Sequence, residues 1–181
     1  LVVGNHVRKF VTTPVSSSDR NLITDLYHAT ILPAGGIKFQ LTRETVGQYA
    51  PYFRNAYQEE KDRQNALAKT WGTVLPNITI SQIHFDNLKQ LEKPVRYRFH
   101  AFAPNYAVTR DKGAMAFAGL IRRLYLTRIY AAPSKRKYDL SLNFPWSLKS
   151  STRFRLPSGY KVVSLPEHLH LRTDFGKCDI E

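Results

Sequence analysis

The sequence has a single cysteine, Cys178, so no disulfide can form within the chain. One thiol suits a reducing cytosol and an envelope compartment equally, and cysteine usage leaves the compartment open. No apolar run approaches the ~20 residues that cross a bilayer as a helix, which predicts no transmembrane segment, and the first residues lack a signal-peptide pattern. Beginning at Leu1 rather than Met, the chain reads as a processed piece. Carboxylates are scarce, 14 acidic side chains against 27 basic ones, so paired acids for general acid–base work are hard to assemble. Glu59-Glu60 falls on a solvated helix face. A phosphate-cradling glycine loop and a Gly-x-Ser-x-Gly nucleophile turn are both absent.

The remaining candidates for chemistry are thin. A thiol enzyme needs a cysteine beside a histidine that an Asp or Asn orients. Cys178 sits instead in Gly-Lys-Cys-Asp-Ile-Glu, away from any helix start that would lower its pKa. His168-x-His170 puts two imidazoles on one strand face, but two ligands do not make a zinc site, and no Cys or carboxylate cluster stands nearby at ligand spacing. His6, His28, His84 and His100 are scattered. The sequence therefore predicts no catalytic residue, no metal and no cofactor.

What is present is a soluble, β-rich pattern. Apolar residues make up 43% and charged residues 23% of the 181, enough to bury a core in one domain or two small ones. Leu1 to Thr13 reads as an extended leading segment and Pro14 to Asp19 as a Ser-rich linker. Residues 21–32, the turn Pro33-Ala34-Gly35-Gly36, and Ile37, Phe39 and Leu41 alternating with Lys38, Gln40 and Thr42 predict a β-hairpin. From Gln48 to about Thr73 the period changes. Tyr49, Tyr52, Phe53, Ala56, Tyr57, Leu67 and Trp71 recur near 3.6 residues, predicting one long amphipathic helix over 48–73, with Pro51 in its first turn and its aromatic stripe laid on a sheet. Residues 77–85 form another expected strand. In 95–102, Val95, Tyr97, Phe99 and Ala101 share one face, and Arg96, Arg98, His100 and Phe102 the other. Asp111-Lys112-Gly113 signals a turn, and residues 114–132 admit either short helix or strand. Further strands are expected over 138–143, 151–156, 160–163 and 168–173, broken by Pro157-Ser158-Gly159 and Leu165-Pro166. The predicted fold class is mainly β (α+β). Residues 1–90 form an α+β layer and residues 91–181 an antiparallel, immunoglobulin-like β-sandwich, with a soft boundary near 86–94 across which the strands can join into one body.

The net charge of +13 is uneven: residues 1–90 hold 10 basic and 7 acidic side chains, residues 91–181 hold 17 and 7. Such asymmetry fits an anionic partner such as nucleic acid, an acidic glycan or an envelope surface. Alternation already explains where most of these charges sit, as Lys and Arg on the outward faces of strands keep edges soluble. The best exposed candidates for anion or partner binding are Lys135, Arg136 and Lys137, with Arg128, Arg153 and Arg155 as neighbours in the alternating register. No helix-turn-helix, zinc finger or RNP-like aromatic motif points to specific nucleic-acid recognition.

Several stretches carry a family resemblance. Lys135-Arg136-Lys137-Tyr138, Phe144-Pro145-Trp146, Leu156-Pro157-Ser158-Gly159-Tyr160-Lys161-Val162 through Leu165-Pro166-Glu167, and Asp174-Phe175-Gly176 resemble the β-rich region downstream of the catalytic core in bacterial transglutaminase-like proteins. Val46 to Arg54 extends the likeness backwards. These are turn and packing signatures. The resemblance implies a non-catalytic accessory β-domain of a multidomain protein in a cell-envelope setting. Its partner would be the upstream papain-like core, which is absent here, or another protein.

Overall fold

The computed structural model describes residues 2–4, 7–9, 14–110, 113–120, 124, 126–130, 135, 137, 139–140 and 142–181. Its elements are β1 (Val2–Gly4), β2 (Val7–Lys9), β3 (Leu22–Ile31), β4 (Ile37–Thr45), α1 (Tyr49–Ala56), α2 (Arg63–Gly72), β5 (Thr79–Asp86), β6 (Val95–Ala103), β7 (Val108–Thr109), β8 (Met115–Ala116), α3 (Leu126–Tyr130), β9 (Ser147–Arg155), β10 (Leu169–Thr173) and β11 (Gly176–Ile180). The centre is a mixed five-stranded sheet in the order β5-β6-β4-β3-β9, so strands from both sides of residues 86–94 share it. The chain is mainly β with a few short helices, and its sheets are open. β1–β2, β7–β8 and β10–β11 are separate two-stranded ladders.

Period-2 alternation decides the two faces of the central sheet. β6 runs buried, exposed, buried without a break from Val95 to Ala103. On the buried side Tyr27, Ile31, Ile37, Leu41, Tyr97 and Phe99 are almost fully removed from water, with Phe53 of α1 and Leu67 and Trp71 of α2 laid over them. Full burial of each such side chain contributes roughly 1.5–3 kcal/mol.

That apolar side contains one ion pair. Asp25 and Arg43 are direct cross-strand partners in the β3–β4 ladder. Arg43 Nε donates to Asp25 Oδ1 and its terminal nitrogen to Oδ2, each at 2.5 Å, a bidentate fork. The guanidinium lies 5.8–5.9 Å from the ring centres of Phe53, Trp71 and Tyr97, and the Tyr27 hydroxyl donates to Asp25 Oδ2 at 3.4 Å. Burial raises the Tyr27 phenol well above its ordinary range, and the Asp25 charge adds to the effect. Burial works against the charged form of Arg43, but Tyr97 and the bonds to Asp25 outweigh it and hold the group above its ordinary range.

Several expectations require correction. The helix expected over 48–73 is two helices, α1 and α2, separated by residues 57–62 with a 3-10 turn at Glu60–Asp62. Between Tyr57 and Ala66 no apolar residue reaches the core, so packing has no stripe with which to sustain a continuous helix. Arg63 instead turns back to bond the carbonyl oxygens of Tyr57 and Gln58, closing the end of α1. The expected immunoglobulin-like sandwich is not found: the described residues form one five-stranded sheet with helices on one face, and three two-stranded ladders. Among the described residues no second sheet packs face to face with it, because β9 joins the first sheet and residues 158–181 are exposed throughout. β9 also runs parallel to β3, not antiparallel. The connection from β6 is long enough for the crossover that a parallel neighbour needs. Residues 160–163 form no strand. The turn residues Asp111-Lys112, and Tyr138 and Ser141 of the expected 138–143 strand, lie outside the described residues.

Asn21, itself buried, sets where β9 begins. Its side chain donates to Pro145 O at 2.8 Å, its carbonyl oxygen accepts from Ser147 N at 3.0 Å, and its Oδ1 accepts from Gln48 N at 3.0 Å. Gly47 has φ +67° against this clamp, where a Cβ would overlap the Arg20 carbonyl oxygen. The described parts of the crossover pack on the helix side: Phe117 on Phe154 at 5.1 Å, Phe144 on Tyr49 at 5.2 Å, and Leu120 buried. Among the described residues no element packs on the opposite face of the sheet.

Removing one half of the buried pair leaves the other charge uncompensated. Asp25→Ala is expected to cost about 3–5 kcal/mol in urea unfolding, whereas Asp25→Val combined with Arg43→Met should recover most of that loss. A single variant that unfolds at the wild-type midpoint would contradict this placement of the pair.

Candidate functional site

The bare face is assembled by register. Reading from β9 to β5, Arg153, His28, Gln40, His100 and Ser81 form one row. The next row is Ser151, Leu26, Thr42, Arg98 and His84. Lys149, Thr24, Glu44, Arg96 and Asp86 form a third, and Arg155, Thr30, Lys38, Phe102 and Thr79 a fourth. Paired residues point to the same side of a sheet, so all four rows face outward together. None of these side chains is buried.

Six cations stand here against two carboxylates, and both carboxylates are occupied. Glu44 accepts from Arg96 at 3.1 and 2.5 Å, and this hydrogen bonding raises the Arg96 pKa. Asp86 bonds His84 at 2.9 Å. Lys38, Arg98, Lys149, Arg153 and Arg155 have no ion pair among the described residues. They flank a neutral floor of Thr24, Thr30, Gln40, Thr42 and Leu26. Charge of one sign on an exposed surface, with its own acids already satisfied, attracts anions.

The candidates named from the sequence separate. Arg153 and Arg155 lie on this face, two residues apart on β9. Arg128 is exposed on α3, and Lys135 and Lys137 are exposed in the segment that follows; none belongs to the β9 register. Arg136 lies outside the described residues. Sequence reasoning missed Lys38, Arg98 and Lys149 as members of one surface. The alternation of 95–102 already marked Arg98 as outward, but strand order across the sheet is not written in local periodicity.

Other places for chemistry are sparse. Cys178 is exposed on β11 beside Leu171. His170 bonds Asp179 at 3.0 Å, and Arg172 bonds the same carboxylate at 2.7 Å. Arg172 first, then His170, holds the Asp179 carboxyl below its ordinary range. Among the described residues no group of three or more His, Cys, Asp or Glu side chains could hold a metal ion, and no helix is long and apolar enough to cross a membrane. An open notch of about 350 Å³ lies between the start of α2 and β5, lined by Glu60, Arg63 and His84 among others. Arg63 is already committed there, to backbone carbonyls and to the Phe85 ring.

No family model, no curated protein and no solved structure matches the chain.

Because Arg98 and Arg153 have no ion pair among the described residues, reversing either should cost little. Arg98→Glu and Arg153→Glu are each expected to shift unfolding free energy by no more than about 0.5 kcal/mol. A loss of several kcal/mol in urea unfolding would show that these side chains hold the fold together.

Proposed function

We propose that the protein is a non-catalytic interaction domain that binds an anionic partner on the open face of its central sheet. The observation that carries this reading is the gathering of Lys38, Arg98, Lys149, Arg153 and Arg155, from three strands, on one exposed surface whose own carboxylates are engaged. The resemblance of residues 135–176 to the region downstream of transglutaminase-like cores supplies a setting. There the domain would pack on the core or position its protein substrate, within the cell envelope. Specific nucleic-acid recognition is disfavoured, since among the described residues the face offers Phe102 as its one exposed Phe, Tyr or Trp, beside the smaller rings of His28, His84 and His100, where stacking of successive bases favours several large rings.

Heparin, a flexible polyanion, is a suitable probe. Binding should weaken steeply and linearly on a log–log plot as salt rises, because counterions are released on contact. Combined Arg98→Glu, Arg153→Glu and Arg155→Glu should weaken it by about tenfold or more, close to 1.4 kcal/mol. Arg128→Glu with Lys135→Glu should leave it nearly unchanged. Salt-independent binding, or loss confined to the second variant, would overturn the proposal.

A further inference from the structure

The two edges of the central sheet are built differently. β5 is broken by a register shift between Ser81 and His84, with Gln82 at φ 52°, a bulge of the kind that blunts an edge. β9 pairs with β3 over nine consecutive residues without a shift, and no strand lies on its other side among the described residues. The N–H of Ser147 points inward, to Asn21 O at 3.0 Å. Alternation then turns the backbone groups of Leu148, Ser150, Thr152 and Phe154 outward, and none of these has a hydrogen-bond partner among the described residues.

Along this same edge the open-face side chains are Lys149, Ser151, Arg153 and Arg155. On the other face Leu148 and Phe154 are only partly buried, at the margin of the core. We infer that the anionic partner is an extended polypeptide segment that adds to the outer edge of β9, with acidic side chains at alternate positions and apolar ones between. This inference rests on the open-face reading. Strand addition supplies main-chain hydrogen bonds, and alternating side chains supply specificity. Acids on one face of the added strand meet Lys149, Arg153 and Arg155, while apolar residues on the other extend the surface of Leu148 and Phe154. A glycan or nucleic acid can neutralise the cations but cannot continue the backbone ladder. A second copy of the chain would bring like charge against like charge, so the same row of cations that admits an acidic strand rejects self-pairing.

The test compares two short capped peptides of identical composition, one alternating Glu with Val and one with the Glu and Val residues in separate blocks, alongside heparin. The alternating peptide should bind at least about tenfold more tightly than the block peptide. It should also slow amide exchange at Leu148, Ser150, Thr152 and Phe154. Thr152→Pro, which removes an outward N–H and leaves the β3 ladder intact, should abolish the difference between peptides while heparin binding persists. Should that variant fold poorly, N-methylation of the peptide on the edge facing β9 gives the same comparison in wild-type protein. Equal binding of both peptides without protection of those amides, with heparin still bound, would overturn strand addition and leave the anion-binding reading standing. Failure of heparin and both peptides to bind would overturn both.

Discussion

Everything in the central sheet depends on the placement of one ion pair in an apolar layer. Asp25 and Arg43 face each other across β3 and β4, boxed by Tyr27, Phe53, Trp71 and Tyr97. A buried pair of this kind adds little net stability against an apolar substitute, because both ions lose their hydration. Its consequence here is register. Sliding β3 by one residue would carry Asp25 to the open face, strand Arg43 in the core and turn Thr24, His28 and Thr30 inward. That penalty adds to the exposure of Ile23, Tyr27 and Ile31, which the same slip would carry into water.

Deciding which face is dry also decides which face is basic. With Arg43 inside and satisfied, the remaining cations of β4, β6 and β9 are turned outward by the same alternation. The Asn21 clamp then aligns β9 so that Lys149, Arg153 and Arg155 join that surface. The described parts of the crossover pack with the helices, and no described element covers the other side. An open basic surface thus arises from register, a clamp and a crossover.

Much of this was legible in the sequence, and the exceptions have physical causes. Strong alternation marked the 21–42 hairpin and the strands over 77–85, 95–102, 151–156 and 168–173, because half-buried strands impose a period of two. The helix over 48–73 misled because its apolar positions keep a helical phase on both sides of a charged gap, and phase alone does not reveal that nothing in the gap touches the core. Arg43 carried a readable signal, an arginine continuing the inward series Ile37, Phe39, Leu41, but its meaning required Asp25, which lies 18 positions away in the chain. The joining of Arg153 to His28 and His100 was beyond reach, since a parallel neighbour arrives through a long crossover that local periodicity does not encode. For residues 160–163 the apolar composition resembled a strand, yet Val162 and Val163 are exposed, 60% and 87%, and no strand among the described residues pairs with them.

Whether anions bind the open face is best read from an amide chemical-shift map of the uniformly labelled protein during titration with a short heparin oligosaccharide. Binding on the open face should shift resonances along β6 and β9, centred on Arg98, His100, Lys149 and Arg153, with α1, α2 and the 169–180 hairpin silent. Shifts gathered on residues 126–137 or on that hairpin, with β6 and β9 unchanged, would contradict it.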